Sequence, residues 1–334
     1  MKRIVSLLLL AALILGLTAC QAPKTPSDSD PLINETESSD IVTDADMLNE
    51  NFKYKHVIIV GIDGMGAYHK NADTPNIDSI FADYALTDVA QSYRPVASGP
   101  CWLSMFTGVD PMIMRVPNNP YEGQTAVNQR YTDALKKYPT LFSMFHDKYP
   151  NSAVASISRW TLLQELFKES ADHLYIAGEP KKWTTQEELD NALAYIETID
   201  TSKNNFAYFY FSEPDSTGHV ETWGSPAFNE KLSECDAALG EIFKAVEAKG
   251  MLDDTLFILA TDHGGEGTKH GDIYTPAALT ITLGFRGKTI NNVKDFDMIF
   301  RDIAAIIAEA CELENSTWAG IAEPPKVPEG LFKK

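Results

Sequence analysis

An α/β fold around a central, mostly parallel sheet is predicted by three features of the chain. Short apolar runs rich in β-branched or aromatic residues alternate with longer amphipathic stretches. The runs are short enough to be buried strands, and the stretches between them have helical spacing. Carboxylates and histidines follow directly after three of the runs, at the strand ends where open α/β sheets place their sites.

The chain opens with "MKRIVSLLLLAALILGLTAC". Lys2 and Arg3 make a basic start, an apolar run of signal-peptide length follows, and small residues precede Cys20. The run is short for a membrane span. "LTAC" resembles a bacterial lipobox, which implies a signal peptide over residues 1–19 and lipidation of Cys20. The expected location is the cell envelope, on a membrane surface facing away from the cytoplasm. Residues 20–51 are rich in Ser, Thr, Asp, Glu and Pro and have no usable periodicity, which reads as a disordered acidic tether. Residues 52–334 are expected to form a single domain.

In that body, "HVIIVGI" (56–62) reads as a buried strand and "TPNIDSIFADYA" (74–85) as a helix with a Thr-Pro start. "TDALKKYPTLFSMFHDKY" reads as one or two helices, interrupted near Pro139. "SAVASI" (152–157) is strand-like, and "TTQEELDNALAYIETI" opens with a capping pattern before an amphipathic helix. "NFAYFYF" is a strand and "SPAFNEKLSECDAALGEIFKAVEAKG" a long helix that stops at Gly250. "DTLFILAT" and "AALTITLGF" are further strands, and "DFDMIFRDIAAIIAEAC" a closing helix. No internal repeat is present.

The whole chain holds 28 Lys and Arg against 47 Asp and Glu, a net charge of −19, and removal of Lys2 and Arg3 takes this to −21. Such a balance argues against a partner tracked along a nucleic-acid backbone, which needs a basic surface. Cys101, Cys235 and Cys311 are widely spaced with no CxxC, so no zinc knuckle is indicated, and a Cys235–Cys311 bridge is left open.

The chemistry sits after the strands. Asp63 follows "HVIIVGI", Glu213, Asp215 and His219 follow "FAYFYF", and Asp262, His263 and His270 follow "DTLFILAT". A lone aspartate after a strand is commonly a turn or cap, and a lone histidine is commonly structural. Three strand ends at one sheet edge, each carrying such groups, outweigh those readings. Three carboxylates and three imidazoles suit zinc or a similar first-row metal. Six protein ligands exceed what one catalytic zinc takes, and they suit two ions about 4 Å apart.

"ExDxxGH" at Glu213–His219, "TDHGG" at Thr261–Gly265 and "KHG" at Lys269–Gly271 resemble the metal motifs of the alkaline phosphatase superfamily. The branch most resembled is the type I phosphodiesterase/nucleotide pyrophosphatase group. The resemblance implies an alkaline-phosphatase-like three-layer sandwich. It also implies one metal site from Asp215, His219 and His270 and a second from Asp63, Asp262 and His263, with Glu213 a supporting or structural group. A hydroxyl nucleophile is expected at a helix start, and Ser98 lies nine residues before Thr107 in "SGPCWLSMFTG", the spacing of that group. Its oxygen would itself meet the metal, which lowers the hydroxyl pKa. Without metals Ser98 would read as a helix cap. Ser104 is a weaker candidate.

The group commonly has an asparagine three residues after the nucleophile, and Cys101 stands there. Cys101 is expected to line the pocket, with Arg159, Asn119 and, more weakly, Asn118 as alternative holders of a phosphoryl oxygen. The expected activity is a two-metal phosphoester hydrolase, favouring diesters, with a covalent phospho-Ser98 intermediate and a phosphate-ester small molecule as substrate. Alternatives are a phosphomonoesterase, a phosphomutase or transferase, a sulfatase-like hydrolase and, from another class, a solute-binding lipoprotein. Sulfatases need Cys/Ser-x-Pro-x-Arg, and "SGPCW" has Trp102 in place of the arginine.

Overall fold

The structure is a computed structural model that describes residues 54–119, 125–168, 170–175, 184–271 and 274–333. The expected signal peptide, Cys20 and the tether lie outside the described residues. Among the described residues, seven strands form one sheet: β1 (His56–Ile62), β2 (Ala85–Gln91), β3 (Ala153–Ile157), β4 (His173–Tyr175), β5 (Asn205–Phe211), β6 (Thr255–Ala260) and β7 (Thr280–Arg286). Their order is β2-β7-β6-β1-β5-β3-β4. β6, β1, β5, β3 and β4 pair in parallel, while β7 runs against both of its neighbours.

The central strands β1, β5 and β6 are buried along their whole length, as a parallel sheet covered on both faces requires. Their side chains alternate between two cores. Phe206, Tyr208 and Tyr210 of β5 join Val57, Ile59, Leu256 and Ile258 on one face. Ala207, Phe209 and Phe211 join Ile58, Val60, Phe257 and Leu259 on the other. The first core is closed by residues of helices Ser98–Thr107, Leu141–Lys148 and Asp302–Ala310. The second is closed by residues of helices Pro75–Ile80, Thr185–Thr198 and Pro226–Ala248. The result is the expected sandwich of helices, sheet and helices.

Several elements differ from the sequence reading. The helix expected over 74–85 stops at Ile80, and Ala85 begins an edge strand whose burial alternates. The closing helix begins only at Asp302. The Thr184–Glu187 capping box is formed as expected. Cys235 and Cys311 are both free and buried, so the bridge left open is not made.

Candidate metal centre

Register brings the site together. Ile62 of β1 lies opposite Phe211 of β5, and Gly61 lies opposite Ala260 of β6, so the three chains leave the sheet side by side. Asp63 N donates to Phe211 O at 2.9 Å and Asp215 N donates to Asp63 O at 3.1 Å, which ties the first loop to the second. Gly64 has φ +72, and a Cβ there would stand 2.8 Å from the Cα of Asp215. Only glycine accepts both the left-handed backbone and that approach.

Asp215 and His219 sit four residues apart on helix Glu213–Glu221, hence on one face of it. The helix runs unbroken through "STG". His270 arrives from the loop after β6. Its Nε2 lies 3.1 Å from His219 Nε2, and Asp215 Oδ1 lies 3.5 and 3.6 Å from the two imidazoles. Around the second set, His263 Nε2 is 3.5 Å from Asp63 Oδ1 and 3.4 Å from Asp262 Oδ2.

The three histidines share a device. Nδ1 of His219 meets Thr268 O at 3.0 Å, that of His263 meets Gly264 O at 2.9 Å, and that of His270 meets Val96 O at 2.9 Å. A carbonyl oxygen only accepts, so each Nδ1 carries a proton, and in the neutral imidazole each Nε2 then turns a lone pair inward. Two such lone pairs face each other between His219 and His270, beside an Asp215 Oδ1 that is buried and has no hydrogen-bond partner. Asp262 Oδ1 accepts from the backbone N–H of Gly64 and of His263, while its Oδ2 is buried without a partner. Acceptors facing acceptors are unfavourable unless a cation lies among them, and the donor set fits zinc-like divalent ions.

The electrostatics agree. Burial, followed by the charge of neighbouring aspartates, pushes the Asp215 and Asp262 carboxyls well above the usual range. Burial also raises Asp63, against hydrogen bonds that lower it. Burial pushes His263 and His270 down to about 3, which keeps both neutral and ready to ligate. The two sets are unequally covered: the His219 side chain is 43% exposed, while those of Asp262 and His263 are wholly buried. The grouping also departs slightly from expectation. Asp215 comes within reach of Asp63 and His263 as well as its own partners, so it stands between the two sets.

Ser98 is the first residue of helix Ser98–Thr107, and its hydroxyl caps nothing. Its Oγ lies 2.9 Å from His263 Nε2 and 3.4 Å from Asp63 Oδ1. Beside it opens a cavity of about 310 Å³ whose lining includes Ser98, Asn119, Arg159, Asp215, His219 and His270. Asn119 Oδ1 accepts from Gly99 N at 2.7 Å, which pins this amide against the start of the Ser98 helix. Arg159 donates to Ser216 Oγ at 3.2 Å and lies 3.6 Å from the buried Glu188. Burial pushes the Glu188 carboxyl up to about 8 against the pull of Arg159.

Three expectations are revised or settled here. Cys101 does not line the cavity: one turn along the helix, its thiol turns into the core against Ser92 Oγ at 3.5 Å, and burial raises it to about 12. Ser104 is buried and donates to Cys101 O within the same helix. Glu213 is structural, accepting from the N–H and hydroxyl of Thr185 at 2.7 and 2.8 Å. Tyr210, read only as part of a buried strand, and Trp102, noted only for standing where a sulfatase has its arginine, donate to Asp63 Oδ2 at 2.6 and 3.3 Å.

The fold is alkaline-phosphatase-like, and the candidate metal ligands gather at one edge of its sheet. Residues 57–291 match the family described as type I phosphodiesterase / nucleotide pyrophosphatase, and the chain belongs to that family, whose members are phosphodiesterase and pyrophosphatase hydrolases. Human ectonucleotide pyrophosphatase/phosphodiesterase family member 7 is 22% identical over 235 residues, covering 62% of this chain and 47% of its own. The chain thus spans about half the length of that curated relative. Among solved structures, human ectonucleotide pyrophosphatase/phosphodiesterase 5 superposes with a TM-score of 0.64 at 12% identity, covering 77% of this chain and 95% of that one. The murine counterpart, an inactive form in complex with AMP, gives 0.62 at 12% identity, with the same coverage of 77% and 95%. A 2-O GAG sulfatase gives 0.62 at 13% identity, covering 82% of this chain and 73% of that one. At these identities the structural likeness establishes the fold alone.

Proposed function

We propose that the chain is a two-zinc phosphodiesterase working through a phospho-Ser98 intermediate. The observation that carries this is the approach of Ser98 Oγ to 2.9 Å from His263 Nε2, at the edge of two converging ligand sets. Asp215, His219 and His270 would hold one cation, and Asp63, Asp262 and His263 the other. Bound cations lower the pKa of the serine hydroxyl and offset charge on phosphoryl oxygens. Ser98 Oγ attacks phosphorus, the bond to the leaving oxygen breaks, and the serine proton passes by way of water to that oxygen, which leaves as the alcohol. Asn119 and Arg159 hold phosphoryl oxygens. Water then attacks the phosphoserine and restores the hydroxyl, so two inversions give net retention at phosphorus. The AMP-bound relative supports a phosphate ester as the ligand class. A sulfate ester is disfavoured, because Trp102 occupies the position of the sulfatase arginine and is committed to Asp63.

The reading is tested with matched aryl phosphate diester, aryl phosphate monoester and aryl sulfate on zinc-loaded protein. The diester is expected to give the highest kcat/KM. Equal values for the two phosphates would defeat the diester preference, and faster sulfate turnover would overturn the phosphoester assignment.

The location is part of the same proposal, resting on the "LTAC" pattern and the acidic stretch that follows. Cys20→Ala is expected to release the protein from membranes or leave its signal uncleaved. Wild-type protein recovered from the cytoplasm with Met1 retained would refute it.

A further inference from the structure

The two oxygens of Asp63 have separate partners. Oδ1 faces Ser98 Oγ at 3.4 Å and His263 Nε2 at 3.5 Å. Oδ2 accepts from Tyr210 OH at 2.6 Å and from Trp102 Nε1 at 3.3 Å. An indole N–H only donates, and a phenol this close to a carboxylate makes a short, strong bond. The geometry points to Tyr210 and Trp102 as positioning residues that engage Asp63 Oδ2, so that this carboxylate presents Oδ1 alone to its cation and to Ser98. The inference rests on the two-cation reading above.

Both donors are fixed by packing. Gly61 leaves the space the indole fills: a Cβ there would meet the Trp102 ring at 2.9 Å and the Tyr208 ring at 2.7 Å. Trp102 packs edge-on against Tyr210 and Phe300, with centroids 5.9 and 5.4 Å apart. Tyr210 stacks on Trp160 at 6.2 Å. Trp102 also lies four residues after Ser98 on the same helix, one turn along the same face. One rigid element therefore carries the nucleophile and grips the carboxylate that stands beside it. Without a grip on Oδ2 the carboxylate is free to rotate, and losing such an outer hydrogen bond to a metal ligand typically weakens metal binding about 10–100-fold.

The test titrates zinc into metal-free protein against a chromogenic chelator. Wild type should take up two equivalents with resolvable affinities. Tyr210→Phe keeps the ring and removes only the hydroxyl. It should leave one equivalent as in wild type and weaken the other by about 10–100-fold. Trp102→Phe should weaken the same equivalent, and it carries the test if Tyr210→Phe loses its native far-UV spectrum. A merely structural role would lower both affinities together or neither, and either result overturns the inference while leaving the two-cation reading in place. Fewer than two equivalents in wild type would overturn both.

Discussion

Ser98→Ala is expected to lower kcat by roughly 10³-fold or more, because it removes the attacking oxygen rather than a group that assists it. The fold should survive. The Ser98 hydroxyl caps no helix N–H, and its partners His263 Nε2 and Asp63 Oδ1 are themselves proposed ligands. Zinc content should stay close to two per chain, since all six aspartate and histidine ligands remain. Ser104→Ala gives the control, because that hydroxyl donates to Cys101 O inside the helix and should leave kcat within a few-fold of wild type. Near-normal turnover by Ser98→Ala, or inversion at a chiral phosphorus, would replace the covalent route with direct attack by water.

Stripping the metals should be the second large effect. A ligand present at about 1,000 times its Kd stabilises the folded state by about 4 kcal/mol. At roughly 2–4 °C per kcal/mol for a chain of this order, chelation should lower Tm by about 10 °C at neutral pH. The metal-free protein should also show a characteristic pH slope. Asp215 and Asp262, and less strongly Asp63, have folded pKa values raised by burial. A carboxyl raised in the fold contributes stability below its unfolded value and loses it as pH rises through its folded value. His263 and His270, depressed to about 3, act in the opposite sense, but only below the unfolded histidine value of about 6.5. Above that histidine value, any slope in metal-free Tm therefore has the carboxyl sign, rising as pH falls. Glu188, raised to about 8, adds the same sign to both forms, so its share cancels when metal-free and loaded protein are compared. Unchanged melting on chelation would contradict the cation assignment.

The strands and the candidate ligands were legible because their signals are local. A fully buried parallel strand is a continuous apolar run, and a ligand placed at its end follows it directly in sequence, as Asp63 follows β1. What escaped depended on partners distant in the chain. β2 is an edge strand with mixed burial, and β4 has only three residues, so neither makes a run. Tyr210 looks like any aromatic of a buried strand until β1 sets Asp63 beside its hydroxyl. Cys101 was placed in the cavity by its offset from Ser98, but the helix turns that position into the core. The helix through "STG" was masked by its glycine. Gly218 is needed there because a Cβ would stand 2.6 Å from the Trp223 ring.

The donor set also fixes a charge balance. Asp63, Asp215 and Asp262 contribute three negative charges, and the inward lone pairs of the three histidines contribute none. Two divalent ions would leave the centre with one surplus positive charge. A phosphate diester, a monoanion, cancels that surplus and could enter and leave a nearly neutral site. A monoester dianion would overshoot it by one charge, and Arg159, which lines the cavity, would have to supply the offset. The count of aspartates around the ions would thus act as a filter on substrate charge, set before any contact with the leaving group.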